Sequence, residues 1–121
     1  PQLTSPLEGI VTSSYDKTTG HFAVDIAAAN NTPIKSCYEG TVVFADWTSE
    51  TGHIIIIQHE NNLRGAYKHN SALLKEVGEF VRSGEAIAII GNSGENSTGP
   101  HLHFELWFEG AAINPEDFIK L

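Results

Sequence analysis

Four consecutive isoleucines, Ile54 to Ile57, lie inside the segment 53–59, with Thr51-Gly52 before it and Glu60-Asn61-Asn62 after it. β-Branched side chains lose rotamer freedom in a helix but pack well on a pleated surface. The run is also far shorter than the roughly 20 apolar residues that span a bilayer as a helix. It is therefore expected to be a central strand covered on both faces, around which the rest of the chain must build a sheet. Asn61-Asn62 offers a turn, because Asn tolerates the left-handed backbone. Residues 63–68 then read as the returning arm of a hairpin that delivers His69 to its far end.

The remaining signals are also β. Residues 40–47 hold Thr41, Val42, Val43 and Phe44 behind a Glu39-Gly40 turn and are expected to form a strand. The glycine-punctuated stretch 77–91 has no 3.6-residue period and reads as short strands joined by turns. Residues 92–100 are polar and rich in Ser and Gly, so they should be a loop. Leu102, Phe104 and Leu106 alternate with His101, His103 and Glu105, the signature of a strand with one face on the core and the other on a cleft. One helical turn is expected near Asn114 to Phe118, with Asn114 as cap and Pro115 in the first helical position. The expected fold is an all-β, compact antiparallel sheet.

With 121 residues, the chain has the size of one domain. Its formal net charge is −8, with only 7 Lys and Arg and no basic cluster, which argues against nucleic-acid binding. No segment is apolar for long enough to cross a membrane as a helix. The single Cys37 cannot form an intrachain disulfide and is expected to be a small buried residue. Met is absent even at position 1, as expected of a mature fragment or a domain excised from a longer exported protein.

His101 and His103 leave the same strand face about 6.6–7 Å apart, so one can hold a metal while the other reaches a substrate beside it. A lone His-x-His pair is a weak signal, equally at home on a solvated strand face. His21 and Asp25 would lie about 13 Å apart in a straight strand, whereas zinc donors sit about 2.0–2.2 Å from the ion. If both are ligands, the chain must bend between them, and the Thr18-Thr19-Gly20 turn makes such a bend plausible. Taken alone, the two read equally well as a loop histidine and a surface carboxylate. Two His and one Asp would leave a fourth position open, as in catalytic zinc sites. No His-Glu-x-x-His helix is present to supply a Glu base, which leaves His69 and His101 as candidates for proton transfer.

Three motifs occur in order: His21-x-x-x-Asp25, Tyr67-Lys68-His69, and Ser97-Thr98-Gly99-Pro100-His101-Leu102-His103-Phe104-Glu105. Together they make the chain resemble the lysostaphin-type (LytM-like) peptidoglycan endopeptidases over nearly its whole length. The resemblance implies a hybrid-motif-related sheet with an open active-site groove. It implies one zinc ion held by His21, Asp25 and His103, and a catalytic pair, His69 and His101. It also implies a peptidoglycan peptide as substrate, export to the periplasm or cell envelope, and partner domains in the full-length protein. Tyr15 stands where the family has a groove-lining aromatic and could serve either the oxyanion or packing. Asp16-Lys17-Thr18 replaces the usual Gly-x-Arg after it, and Ala23 replaces a usual Gly. Asn31 stands at a turn glycine and should tolerate positive φ. Glu105 shares the face of the two histidines and is a candidate acceptor that orients one ring. His59 is expected to be structural, His53 to be a strand-edge residue, and Asn114-Pro115 to anchor the C-terminus.

Two other readings remain. A catalytically silent family member would bind peptidoglycan or regulate another hydrolase, although all five site residues are present here. A lipoyl- or biotinyl-type carrier would share the glycine-punctuated strands of 78–91, but no lysine sits on a suitable hairpin turn.

Overall fold

The computed structural model describes residues 2–92 and 99–121. Among these residues ten strands follow one another as β1 (Ile10–Ser13), β2 (Val24–Ala27), β3 (Pro33–Lys35), β4 (Gly40–Thr48), β5 (Gly52–Gln58), β6 (Leu63–Leu73), β7 (Phe80–Val81), β8 (Ala86–Ile90), β9 (His101–Phe108) and β10 (Ala111–Ile113). A 3-10 turn at Pro115–Asp117 completes the order. Among the described residues every strand pairing is antiparallel, in the order β1-β2-β9-β6-β5-β4-β7, and β10 pairs residues 106–108 of β9 beyond the stretch 101–104 that pairs β2. Among the described residues no helix is long and apolar enough to cross a membrane.

The isoleucine run forms β5, hydrogen-bonded to β4 on one side and β6 on the other. Its two faces are not equivalent, however. Ile55 and Ile57 enter the core, whereas Ile54 and Ile56 form part of the floor of a groove. Asn61 and Asn62 both have positive φ, 58° and 61°, the pattern of a two-residue I′ hairpin turn, whose twist matches that of the flanking strands. Asn31 likewise adopts φ 67°. Of residues 77–91, only 80–81 and 86–90 become strands.

β6 runs five residues past the expected 68, and this extension joins two parts of the fold. Its first half lies between β5 and β9, while Asn70, Ala72 and Leu73 pair with β8, which in turn pairs with β3. The strand bends at His69, a non-glycine residue at φ 69°. Asn70, almost fully buried, donates from its amide to the carbonyls of Tyr67 and His53 and so ties the bend to β5. His53 therefore lies inside the sheet, paired with both Trp47 and Asn70, and not at its edge.

The core lies beneath the sheet and is filled by Tyr67, Phe104, Ile26, Ile34, Leu102 and Leu106 among others. The Tyr67 hydroxyl accepts from the Cys37 backbone N–H at 2.9 Å. His59, distant from Cys37 in sequence, packs 3.6 Å from its sulfur and hydrogen-bonds the Glu39 carbonyl through Nδ1 at 2.8 Å. Burial pushes the Cys37 thiol up to about 11 and the His59 imidazole below its usual value, so the pair is neutral and structural.

Candidate metal and catalytic site

Strands β2, β9 and β6 are neighbours, and their register sets Asp25 opposite His103 and His103 opposite Lys68. The two-residue period then sends His101, His103, Glu105 and Trp107 to one face of β9. His21 comes from outside the named strands. Asp16 and His21 pair as an isolated bridge around a tight loop in which Gly20 has φ 79°, and Asp16 Oδ1 accepts from both the N–H and the hydroxyl of Thr18. This fold-back supplies the required bend, and His21 Nε2 comes to 3.1 Å from Asp25 Oδ2.

Donor atoms of His21, Asp25 and His103 all lie within 4.8 Å of one another. Three donors around a tetrahedral zinc stand about 3.4 Å apart, so shifts of about an ångström gather the set around an ion. The opposite nitrogen of each ring decides which atom is offered. His21 Nδ1 donates to the Ser14 carbonyl at 2.8 Å, so Nε2, 3.1 Å from Asp25 Oδ2, is the atom this ring offers to an ion. His103 is reversed. Its Nε2 donates to Glu105 Oε2 at 2.9 Å, and Nδ1 faces Asp25 Oδ1 at 2.9 Å. Burial opposes charge on His103, but hydrogen bonds to Asp25 and Glu105 outweigh it and hold the ring up at about 9. A cation on Nδ1 would take the place of the second proton, so the donor set fits a divalent metal.

Glu105 is the hub behind this ring. Burial works against its charge, but bonds from His103, Lys68 and Trp107 lower its carboxyl to about 2. Oε2 receives Lys68 Nζ at 2.8 Å as well as His103, and Oε1 receives Trp107 Nε1 at 2.9 Å. Lys68 lies inside the motif Tyr67-Lys68-His69 but carries no role by sequence alone, and Trp107 continues the alternation of His101, His103 and Glu105.

The two remaining imidazoles lie beside this set. The His69 and His103 rings are 5.6 Å apart and nearly perpendicular. Burial lowers the His69 pKa first, followed by the positive charge of His103, with Lys68 and His101 adding to it against Asp25. His101 Nδ1 donates to the Gly99 carbonyl at 2.7 Å, which turns the Nε2 lone pair outward. Gly91 separates their backbones. It accepts from the His101 N–H, and a Cβ placed on it would meet the His69 carbonyl oxygen at 2.1 Å.

The other expected positions fall outside this constellation. The Tyr15 hydroxyl donates to the Ala112 carbonyl at 3.3 Å, and its ring packs edge-on against Phe22. Asn114 accepts from the Glu116 N–H and caps the 3-10 turn. Ala23 is completely buried. Ser97 and Thr98 of the third motif, and most of the 92–100 loop, lie outside the described residues.

Residues 19–115 match the model of peptidase family M23. The chain is 37% identical over 95 residues to the DD-carboxypeptidase/endopeptidase Mpg of Neisseria meningitidis serogroup B, which covers 78% of this chain and 22% of that protein. It is 34% identical over 94 residues to the murein hydrolase activator EnvC of Escherichia coli, with the same two coverages. It superposes on the catalytic domain of the antimicrobial peptidase lysostaphin from Staphylococcus simulans with a TM-score of 0.73 and 30% identity, over 92% of this chain and 88% of that one. The chain spans about a quarter of the length of the curated relatives it matches. The family model covers most of the sequence and the all-β fold agrees with it, so this chain belongs to peptidase family M23.

Proposed function

We propose that residues 1–121 form one zinc-dependent endopeptidase domain that cleaves peptide cross-links or stem peptides of bacterial peptidoglycan, within an exported protein working in the periplasm or cell envelope. The observation that supports this reading is the convergence of His21 Nε2, Asp25 and His103 Nδ1, with each imidazole oriented by a hydrogen bond through its other nitrogen. The name of one relative adds weight, since Mpg is a DD-carboxypeptidase/endopeptidase, while EnvC, a murein hydrolase activator, supports the cell-wall setting alone.

Zinc held by His21, Asp25 and His103 would supply Lewis acidity, polarising a carbonyl and lowering the pKa of water towards 7. The protein's own groups do the rest. His101, steadied by the Gly99 carbonyl, presents Nε2 to take a proton from the attacking water and return it to the leaving amine. His69 is neutral near pH 7 and can donate a hydrogen bond to the oxygen that gains charge. Glu105 and the Ser14 carbonyl hold the two ligand rings in place.

The test is zinc per chain in wild type and Asp25→Ala, together with digestion of purified peptidoglycan followed by mass spectrometry. About one zinc in the wild type, loss in the variant and new peptide termini are expected. Zinc-free protein that leaves peptidoglycan intact, even after reconstitution, would shift the reading to an activator like the one named among its relatives.

A further inference from the structure

A groove of about 570 Å³ does not enclose the His-Asp cluster but adjoins it, beginning at Lys68 and Glu105 and running along the outer face of β5, β6 and β9. Its floor follows from strand register. Ala66 lies between Ile56 and Glu105, and Arg64 between Gln58 and Trp107. Ala66 has almost no side chain, so the middle of the floor stays low enough for an extended peptide to lie across it. Successive same-face residues are about 6.6–7 Å apart, which places the Arg64 row about 13 Å from the row that holds Lys68 and His103, roughly four residues of extended peptide.

The two cations of this floor are in different situations. Lys68 is neutralised by Glu105 at 2.8 Å. Arg64 is exposed, and Gln58 Oε1 accepts from its Nε and steadies the guanidinium. Among the described residues no carboxylate lies within ion-pair distance of Arg64. In a chain with only 7 Lys and Arg against 15 Asp and Glu, an Arg without an anion at the end of a groove that leads from the metal cluster is a site for one. Its fork-shaped donors suit a carboxylate.

We infer that Arg64 is a specificity residue that pairs with a substrate carboxylate about 13 Å from the reacting centre, so that the groove selects carboxylate-bearing stem peptides over uncharged glycine bridges. This rests on the endopeptidase reading above and deepens it. Trp107 supplies the apolar wall beside Arg64, and the indole is held by its bond to Glu105.

The test uses zinc-loaded protein and matched cross-linked stem-peptide dimers, one with free carboxylates and one with those groups converted to carboxamides. For a charge-assisted contact at an exposed site, the wild type should prefer the free carboxylate by about tenfold in kcat/KM. The preference should reside in KM. Arg64→Gln should abolish it with kcat retained, and Arg64→Lys should keep part of it. Equal cleavage of both dimers by the wild type, or an undiminished preference in Arg64→Gln, overturns the inference. If neither dimer is cut, the same pair is compared by calorimetric titration. An Arg64-dependent preference in binding then supports the subsite while removing the endopeptidase reading, and equal binding removes the subsite.

Discussion

Replacing Glu105 with Gln isolates the group that stands behind His103, a ligand in the proposed zinc site. The glutamate offers two acceptor oxygens to three donors: Oε2 takes His103 Nε2 and Lys68 Nζ, and Oε1 takes Trp107 Nε1. Glutamine keeps the shape but has one acceptor and one NH2 group. If its oxygen faces His103, its NH2 faces the Trp107 N–H, donor against donor; if it turns to satisfy Trp107, it sets an NH2 against the His103 N–H. Either way the imidazole loses an anionic partner that makes it a stronger ligand. Changes of this kind lower metal affinity by about 10–100-fold, or about 1.4–2.7 kcal/mol. Lys68 also loses its counter-ion, but it is partly exposed and can turn to water, so the fold should survive. The assay is competition for zinc with a chromophoric chelator at pH 7.5, with thermal unfolding of the metal-free protein as a check on folding. A variant that folds and binds zinc within twofold of wild type would refute the claim that Glu105 acts through His103.

Other perturbations separate the remaining parts. His69→Ala and His101→Ala should each lower peptidoglycan-peptide turnover by about 10²–10⁴-fold with zinc retained, while Asp25→Ala should lose the metal, as read by elemental analysis. Gly91→Ala forces a methyl group towards the His69 carbonyl, so it should reduce kcat by roughly 10²-fold through misplacement of His69 and His101, with zinc content unchanged in the folded variant. His59 tests linkage away from the site. Its folded pKa is depressed by burial, so below the usual 6.5 the unfolded chain binds a proton that the folded one refuses, and stability falls as pH drops through that value. Comparing urea midpoints at pH 7.5 and 5.5, His59→Gln should lose less stability than wild type over that range; equal losses would rule out this source of the pH dependence.

The sequence made the cluster legible because strand periodicity and motif order are local properties. His101, His103 and Glu105 share a face by alternation alone, and Trp107 extends the same rule by one step. Alternation does not state which strand lies alongside, so the pairing of Asp25 with His103, and of Lys68 with His103, had to come from the folded register. The strands missed are β1, β3 and β10, each of three or four residues, too short for a period to develop and held by their neighbours. The continuation of β6 through His69 was hidden for a related reason: Asn70 and Ser71 are polar, yet Asn70 is buried because its amide satisfies two carbonyls across the bend.

That bend links fold and chemistry. A histidine at φ 69° is strained for a residue with a Cβ and persists only where its surroundings over-determine it. Here the Thr51 carbonyl receives the His69 N–H at 2.8 Å, Asn70 pins the following residue, and Gly91 lets β8 come close to the His69 carbonyl. In a straight β6, His69 would follow the alternation and project from the face opposite Lys68, towards the core with Tyr67. The left-handed turn at His69 breaks that alternation, and its ring packs beside His103 on the same side as Lys68 and Glu105. The local strain is therefore the means by which a strand with period two presents two successive polar side chains, Lys68 and His69, to one site.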